Sequence, residues 1–182
     1  YYNHDNATVS PVRLSENDRD VFEISSLGLN GEELWVGTDH GLGKLSPGND
    51  GPVFRIITDA FGSRQPHQLI ENILFDEHGD LWVGTETGLY RYNPSDGSFP
   101  MLIESLDASN SLAINTAKIL FSDSHGVLWY GTHGSGLYRI NILKNQVYNY
   151  RNNPADMRSL SENAINCIYE DRSGVIWIGT FG

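Results

Sequence analysis

The chain has 182 residues and four tryptophans, Trp35, Trp82, Trp129 and Trp177, separated by 47, 47 and 48 residues. Each is followed two residues later by a Gly-Thr pair: Gly37-Thr38, Gly84-Thr85, Gly131-Thr132 and Gly179-Thr180. In three copies a turn sequence of the form Asp-x-x-Gly comes first: Asp76-Glu77-His78-Gly79, Asp123-Ser124-His125-Gly126 and Asp171-Arg172-Ser173-Gly174. The first copy keeps only Asn30-Gly31, with Leu29 where the count from tryptophan expects Asp. A fixed period of roughly 40–50 residues is the mark of arrays, solenoids and propellers, whose units bury their apolar faces only against one another. The chain therefore reads as copies of one unit, not as a single tryptophan-rich core.

Within a copy the segments are short, rich in β-branched and aromatic residues, and bounded by Gly, Asn, Asp and Pro, which predicts strands joined by tight turns. The third copy offers four: "TAKILFS" (116–122), "VLWYGT" (127–132), "GLYRIN" (136–141) and "QVYNYR" (146–151). The second offers the same at 69–75, 80–85, 88–93 and 98–103. Asp123-Ser124-His125-Gly126 places Gly where positive φ is tolerated, and Asn93-Pro94-Ser95-Asp96-Gly97 ends in an Asp-Gly hairpin signal. Three successive short hairpins make a four-stranded antiparallel meander. At this period that is a β-propeller blade. The fold class is all-β. The tryptophan supplies a broad apolar face to a neighbouring blade, and the following glycine is expected to let that neighbour's backbone approach.

The ends add to this reading. "VIWIGTFG" closes the chain with two strands of a fourth copy (164–180), and the opening "YYNHDNATVSPVRLSEN" parallels "VYNYRNNPADMRSLSEN". Residues 1–4 are accordingly expected to be the outer strand of a preceding blade. The expectation is one propeller fragment over 1–182, with three complete blades and partial ones at both ends. Open blade faces favour self-association or strand swapping, so a homodimer is expected.

Twelve Lys and Arg against 23 Asp and Glu give a net charge of −11. This argues against nucleic acid or an anionic membrane surface as partner, since both need a basic patch. No apolar run approaches the ~18 residues of a membrane span, so direct membrane insertion is not expected. The single cysteine, Cys167, excludes an internal disulfide. The six histidines show no metal-ligand spacing: His78 and His125 repeat one turn position, and His4, His40, His67 and His133 are scattered. No nucleophile elbow, phosphate-cradling loop or identifiable carboxylate pair is present, so neither catalytic residues nor a cofactor are expected.

"SLSENAINCIYEDRSGVIWIGT" (159–180), "LFDEHGDLWVGTETGLYRYNP" (74–94) and "LFSDSHGVLWYGTHGSGLYRIN" (120–141) resemble the two-component regulator propeller repeat. Its pattern is Leu-Ser-x-Asn, an apolar strand, Asp-x-x-Gly, Leu-Trp-x-Gly-Thr and Gly-Leu. The first copy departs from it at Leu29 and at Gly43, which replaces the usual aromatic. The resemblance implies the periplasmic sensor region of a hybrid two-component histidine kinase, built from seven-bladed propellers and responding to oligosaccharides. It implies no enzyme in the chain itself. A polysaccharide hydrolase or lyase on a propeller, and a protein-interaction scaffold, are the alternatives.

In a four-stranded blade the hairpin between second and third strands shares a face with the loop leading to the next blade. Here those loops are long (58–67, 104–115 and 152–163), and long loops on a rigid scaffold collect binding residues. The candidate ligand-binding residues are Asp39, His40, Glu86 and His133 from the hairpins, with Arg64, His67 and Arg158 from the long loops. Asn115 and Asn163 are expected to satisfy loop backbone groups instead.

Overall fold

The computed structural model describes residues 2–3, 8–9, 13–14, 23–46, 53–57, 69–93, 95–100, 102 and 117–182. Three two-residue strands come first, β1 (Tyr2–Asn3), β2 (Thr8–Val9) and β3 (Arg13–Leu14). Blade 1 contains β4 (Ile24–Asn30), β5 (Glu33–Thr38), β6 (Gly41–Ser46) and β7 (Val53–Ile56). Blade 2 contains β8 (Ile70–Phe75), β9 (Leu81–Thr85) and β10 (Gly88–Arg91). Blade 3 contains β11 (Ala117–Ser122), β12 (Leu128–Thr132), β13 (Leu137–Asn141) and β14 (Gln146–Tyr150). Blade 4 contains β15 (Ile165–Glu170) and β16 (Ile176–Thr180). The sheets are antiparallel meanders in chain order, and the first strands of successive blades lie side by side, β4 on β8, β8 on β11 and β11 on β15. This is the propeller arrangement the repeats predict.

Two outer edges carry particular pairings. At the opening, β1 pairs antiparallel with β2, and β3 runs parallel beside β7. An outer strand offers unpaired N–H and C=O groups, and in blade 1 this segment takes them. In blade 2 the described part of the segment from Ser98 follows β10 through Asn93 N–H to Ser98 O (2.8 Å) and Arg91 N–H to Pro100 O (3.2 Å). Pro100 has no N–H to return to Arg91, so that pair is held by one bond.

The tryptophan and glycine of each copy build the seams between blades. Trp82, fully buried, packs with Ala117 and Leu120 of blade 3, and Trp129 packs with Ile165 and Ile168 of blade 4. Trp35 packs on Ile70, Ile73 and Leu81 of blade 2. Among the described residues Trp177 has no such partner, and it is 61 % exposed. A Cβ on Gly37 would lie 2.7 Å from Ile70 Cγ2, one on Gly84 2.6 Å from Ala117 Cβ, and one on Gly131 2.8 Å from Ile165 Cγ2. All three are inside van der Waals contact, so glycine is required. The approaching group is a side chain at the start of the next blade, not the backbone that the sequence suggested.

The Asp-x-x-Gly turns carry a second function. Asp76 Oδ1 accepts from the N–H groups of His78 and Asp80, while Oδ2 accepts from Trp82 Nε1 at 2.8 Å. Asp123 does the same for His125, Val127 and Trp129 Nε1 (2.8 Å), and Asp171 for Ser173, Val175 and Trp177 Nε1 (2.7 Å). One carboxylate thus closes the turn and pins the indole. In blade 1 the hairpin pairs Leu29 with Leu34 and Asn30 with Glu33, whereas blade 2 pairs Phe75 with Leu81. The first turn is therefore one residue shorter, and Asn30, not Leu29, stands where the other blades have Asp.

Every first strand carries a bulge at its start: the register slips between Ile24 and Ser26, Ile70 and Asn72, Ala117 and Ile119, and Ile165 and Cys167. The inserted residues are Ser25, Glu71, Lys118 and Asn166. A bulge bends its strand and increases the local twist.

Candidate functional site

Each Gly-Thr threonine closes the hairpin that carries the candidate residues. Thr38 Oγ1 donates to Gly41 O (2.7 Å) and accepts from His40 N–H (3.1 Å). Thr85 Oγ1 does the same with Gly88 O (3.2 Å) and Thr87 N–H (3.1 Å), and Thr132 Oγ1 with Gly136 O (2.8 Å) and Ser135 N–H (2.9 Å). All three threonines are buried. Because Gly37, Gly84 and Gly131 each meet the first strand of the next blade near its start, successive blades share one orientation. The three hairpin tips therefore lie on one face, together with the entries to β8, β11 and β15.

On that face Asp39 and His40 form a pair, with His40 Nδ1 2.8 Å from Asp39 Oδ1. His40 beside it, with the Glu23 N–H (3.0 Å), holds the Asp39 carboxyl below its ordinary value. Asp39 N–H in turn donates to Glu23 O (3.1 Å), so this hairpin is tied to the entry of its own blade. Glu86 is exposed at its tip. His133 is exposed, bridges to Ala164 at the start of blade 4, and has its ring 6.2 Å from that of Phe181.

Arg158 projects from the 152–163 loop, 91 % exposed, with Nε 3.1 Å from Asp156 Oδ1, and it holds the Asp156 carboxyl below its usual range. The loop beneath it is braced internally. Asn163 Oδ1 accepts from Asn152 N–H (2.7 Å), Asn163 O accepts from Gly136 N–H (2.9 Å), and Asn152 Nδ2 donates to Leu160 O (2.7 Å) and Ser161 O (2.9 Å). Asn163 thus serves loop backbone, as its position suggested. Asn115, Arg64 and His67 lie outside the described residues. The structure brings Asp39 and His40 into contact and places Glu86, His133 and Arg158 singly on the same face.

Among the described residues no group of three or more His, Cys, Asp and Glu is arranged to hold a metal ion. No helix among them is long and apolar enough to cross a membrane. His78 and His125 are exposed on the turn face. Sequence reasoning missed the indole bonds of Asp76, Asp123 and Asp171; an Asp six residues before the tryptophan in three copies of four was the available signal.

The fold and the threonine-capped hairpins define a propeller assembled from one repeated blade. The family model described as the two-component regulator propeller matches residues 159–182, so the last repeat is of that kind. No curated protein sequence matches the chain. Among solved structures it is similar to the extracellular domain of a protein described as a hybrid two-component system from B. thetaiotaomicron, at 27 % identity over 86 % of this chain and 20 % of that one, with a TM-score of 0.69. A second such domain from the same organism is 23 % identical over 84 % of this chain and 18 % of that one, with a TM-score of 0.62. Virginiamycin B lyase from Staphylococcus aureus shares the fold at 10 % identity over 86 % of this chain and 48 % of its own, with a TM-score of 0.58. The chain spans about a fifth of the length of the two extracellular domains.

Proposed function

We propose that this chain is part of the ligand-recognition propeller of an extracytoplasmic two-component receptor. In this reading it is not catalytic, works in the periplasm, responds to a carbohydrate, and passes the bound state to a histidine kinase within a dimeric receptor. The observation that carries the reading is the regulator propeller match at 159–182, on a chain similar to an extracellular domain described as part of a hybrid two-component system. The ligand face is the one bearing Asp39, His40, Glu86, His133 and Arg158. Glu86 and His133 stand exposed on hairpins that buried threonines hold rigid, and Arg158 on a loop braced by Asn152 and Asn163, which suits recognition of a polar ligand.

Calorimetry of the whole extracytoplasmic region against an oligosaccharide panel tests this. Binding that weakens in Arg158→Ala and His133→Ala supports it, and heatless titration with every glycan sinks the ligand class. The lyase resemblance concerns the fold alone and supplies no residues for catalysis. Turnover of a polysaccharide by the same preparation would replace the sensor reading with the enzyme one.

A further inference from the structure

On the face opposite the hairpin tips, where the first and second strands of each blade turn, neighbouring blades meet through polar groups. Between blades 3 and 4, Ser124 donates from its backbone N–H (2.7 Å) and its Oγ (2.6 Å) to the Glu170 carboxylate. Between blades 2 and 3, the Glu77 carboxylate lies against Gly126. Between blades 1 and 2 a cleft of about 270 Å³ remains, with Asn30, Glu33, Trp35, Phe75 and Asp80 in its walls. The Asn30 amide reaches toward blade 2, where a Cβ on Gly79 would have Asn30 Nδ2 as its nearest atom, at 3.9 Å.

Asn30 and Gly31 are the one Asn-Gly pair in the chain; every other asparagine precedes a residue that carries a Cβ. An asparagine is open to attack by the backbone nitrogen of the residue after it, and a glycine there has no Cβ to crowd the five-membered ring that closes. The structure leaves this pair unguarded. Asn30, Gly31 and Glu32 are exposed, and Gly31 stands at φ +59° with nothing within 4 Å of the place a Cβ would take. Among the described residues the Gly31 N–H has no acceptor, so nothing holds the attacking nitrogen. Asn30 and Glu33 form the last rung of the β4–β5 ladder, which opens at less cost than the rungs behind it.

Other asparagines are tied down. Asn93, Asn141, Asn153 and Asn163 each hold the side-chain oxygen against a loop N–H, and Asn152 gives its Nδ2 to two carbonyls. The Asn30 side chain makes no such bond among the described residues.

The place itself matters to the blade. Asn30 stands opposite Glu33 as Asp76 stands opposite Asp80. Asp76, Asp123 and Asp171 each accept from their own tryptophan's Nε1, whereas Trp35 Nε1 is buried with no acceptor in hydrogen-bond geometry. The Glu33 carboxylate gains only slightly from this indole, because Lys44 is its main partner. Asp80 is likewise taken, by Arg91 at 2.5 Å. A carboxylate formed at position 30 would therefore find an unmet N–H and little opposing charge.

We infer that Asn30 is a site of self-deamidation, and that the aspartate it yields gives blade 1 the indole acceptor that the other blades carry in their sequence. In the first step the Gly31 nitrogen bonds to Asn30 Cγ, the Cγ–Nδ2 bond breaks, and Nδ2 leaves as ammonia with the proton that Gly31 releases. Water then opens the cyclic imide, and no other reactant is needed. Opening at Cγ gives aspartate on the original backbone. Opening at the backbone carbonyl carbon gives isoaspartate, in which the chain runs through Cγ and the turn is longer by one atom.

The full chain, kept folded in mildly alkaline buffer made with heavy-oxygen water, is digested at intervals and its peptides weighed. The peptide spanning Asn30 should convert ahead of every other asparagine-bearing peptide, take up one heavy oxygen, and separate into aspartate and isoaspartate forms. Asn30→Gln, which would need a six-membered ring, should lose the conversion, and Gly31→Ala, which sets a methyl beside the nitrogen, should slow it severalfold. In a nitrogen–proton correlation spectrum, Trp35→Phe identifies the Trp35 indole signal. Asn30→Asp should move that signal toward those of Trp82 and Trp129, and aged protein should develop the same new signal. Conversion at Asn30 no faster than at other asparagines, or undiminished in Gly31→Ala, would overturn the site. A Trp35 signal that stays in place in Asn30→Asp would overturn the role given to its product.

Discussion

The seam between blades 2 and 3 and the seam between blades 1 and 2 use the same tryptophan and the same glycine, yet only the first is closed on the turn face. Trp82 and Trp35 are both buried, at 0 % and 5 % exposure, and Gly84 and Gly37 meet their neighbours at nearly equal distances. What differs is one residue of turn length and the carboxylate that goes with it. Apolar contact therefore sets how blades stack, and the polar pin on the indole can be dropped without losing the seam. A cation over the indole also survives on both: Lys44 Nζ lies 5.4 Å from the Trp35 ring centre, and Arg91 Cζ 5.6 Å from that of Trp82.

If apolar contact dominates, Trp82→Ala is the most damaging change. It should cost about 3–5 kcal/mol in chemical denaturation, whereas Trp177→Ala, on a mostly exposed ring, should cost under about 1 kcal/mol. Equal losses would end the distinction between a filled seam and an open face. The glycine comes next: Gly84→Ala should cost about 1–3 kcal/mol by overpacking, while Gly134→Ala, with nothing within 4 Å of its added methyl, should stay within about 0.5 kcal/mol.

Asp123→Ala removes the acceptor of one indole and two turn N–H groups at once, and a loss of about 1–3 kcal/mol in thermal unfolding is expected. Leu29→Ala in the blade that lacks this pin should be nearly silent, since Leu29 is 65 % exposed. If Asp123→Ala is equally silent, the pin is decorative.

The smallest effect is on pH. Ser173, then Trp177, hold the Asp171 carboxyl well below the usual carboxylate range. A carboxyl depressed in the folded state contributes stability above the ordinary aspartate value of 3.8 and loses it as pH falls through the folded value. The Trp177 indole signal should thus hold its position as pH falls past 3.8, and Ser173→Ala should bring its transition up toward that value. A Trp177 transition at the ordinary aspartate value in the unaltered chain would contradict the bond.

The blades were legible because tandem repetition aligns the chain with itself, so the Trp-x-Gly-Thr strand and its turns could be placed without any partner. Pairing was less legible. Counting back from Trp35 pointed to Leu29, because a count along the chain cannot see a turn shortened by one residue; the ladder partner Glu33 shows that Asn30 holds the place. The bulges were hidden for the same reason, since an inserted residue is defined only against the strand opposite. In blade 2 the sequence placed an outer strand at 98–103, and its described start pairs with β10 through Ser98 and Pro100. At the candidate site, residue types and face could be read from the repeat, but the Asp39–His40 pair and the Arg158–Asp156 pair are contacts between loop side chains, and no periodicity governs those.

The bulge at the head of each first strand has a consequence for how such a chain can diversify. Its inserted residues, Ser25, Glu71, Lys118 and Asn166, share no chemistry, although each stands one step from a residue the seam holds fixed. Lys118 Nζ reaches Glu71 Oε2 across two blades at 3.6 Å, so adjacent positions already address one another. Ser25 likewise donates to Ile70 O of the next blade, so recolouring the innermost edge of the arc, acidic to basic to neutral, exchanges one polar link between blades for another while the apolar seams beneath stay as they were.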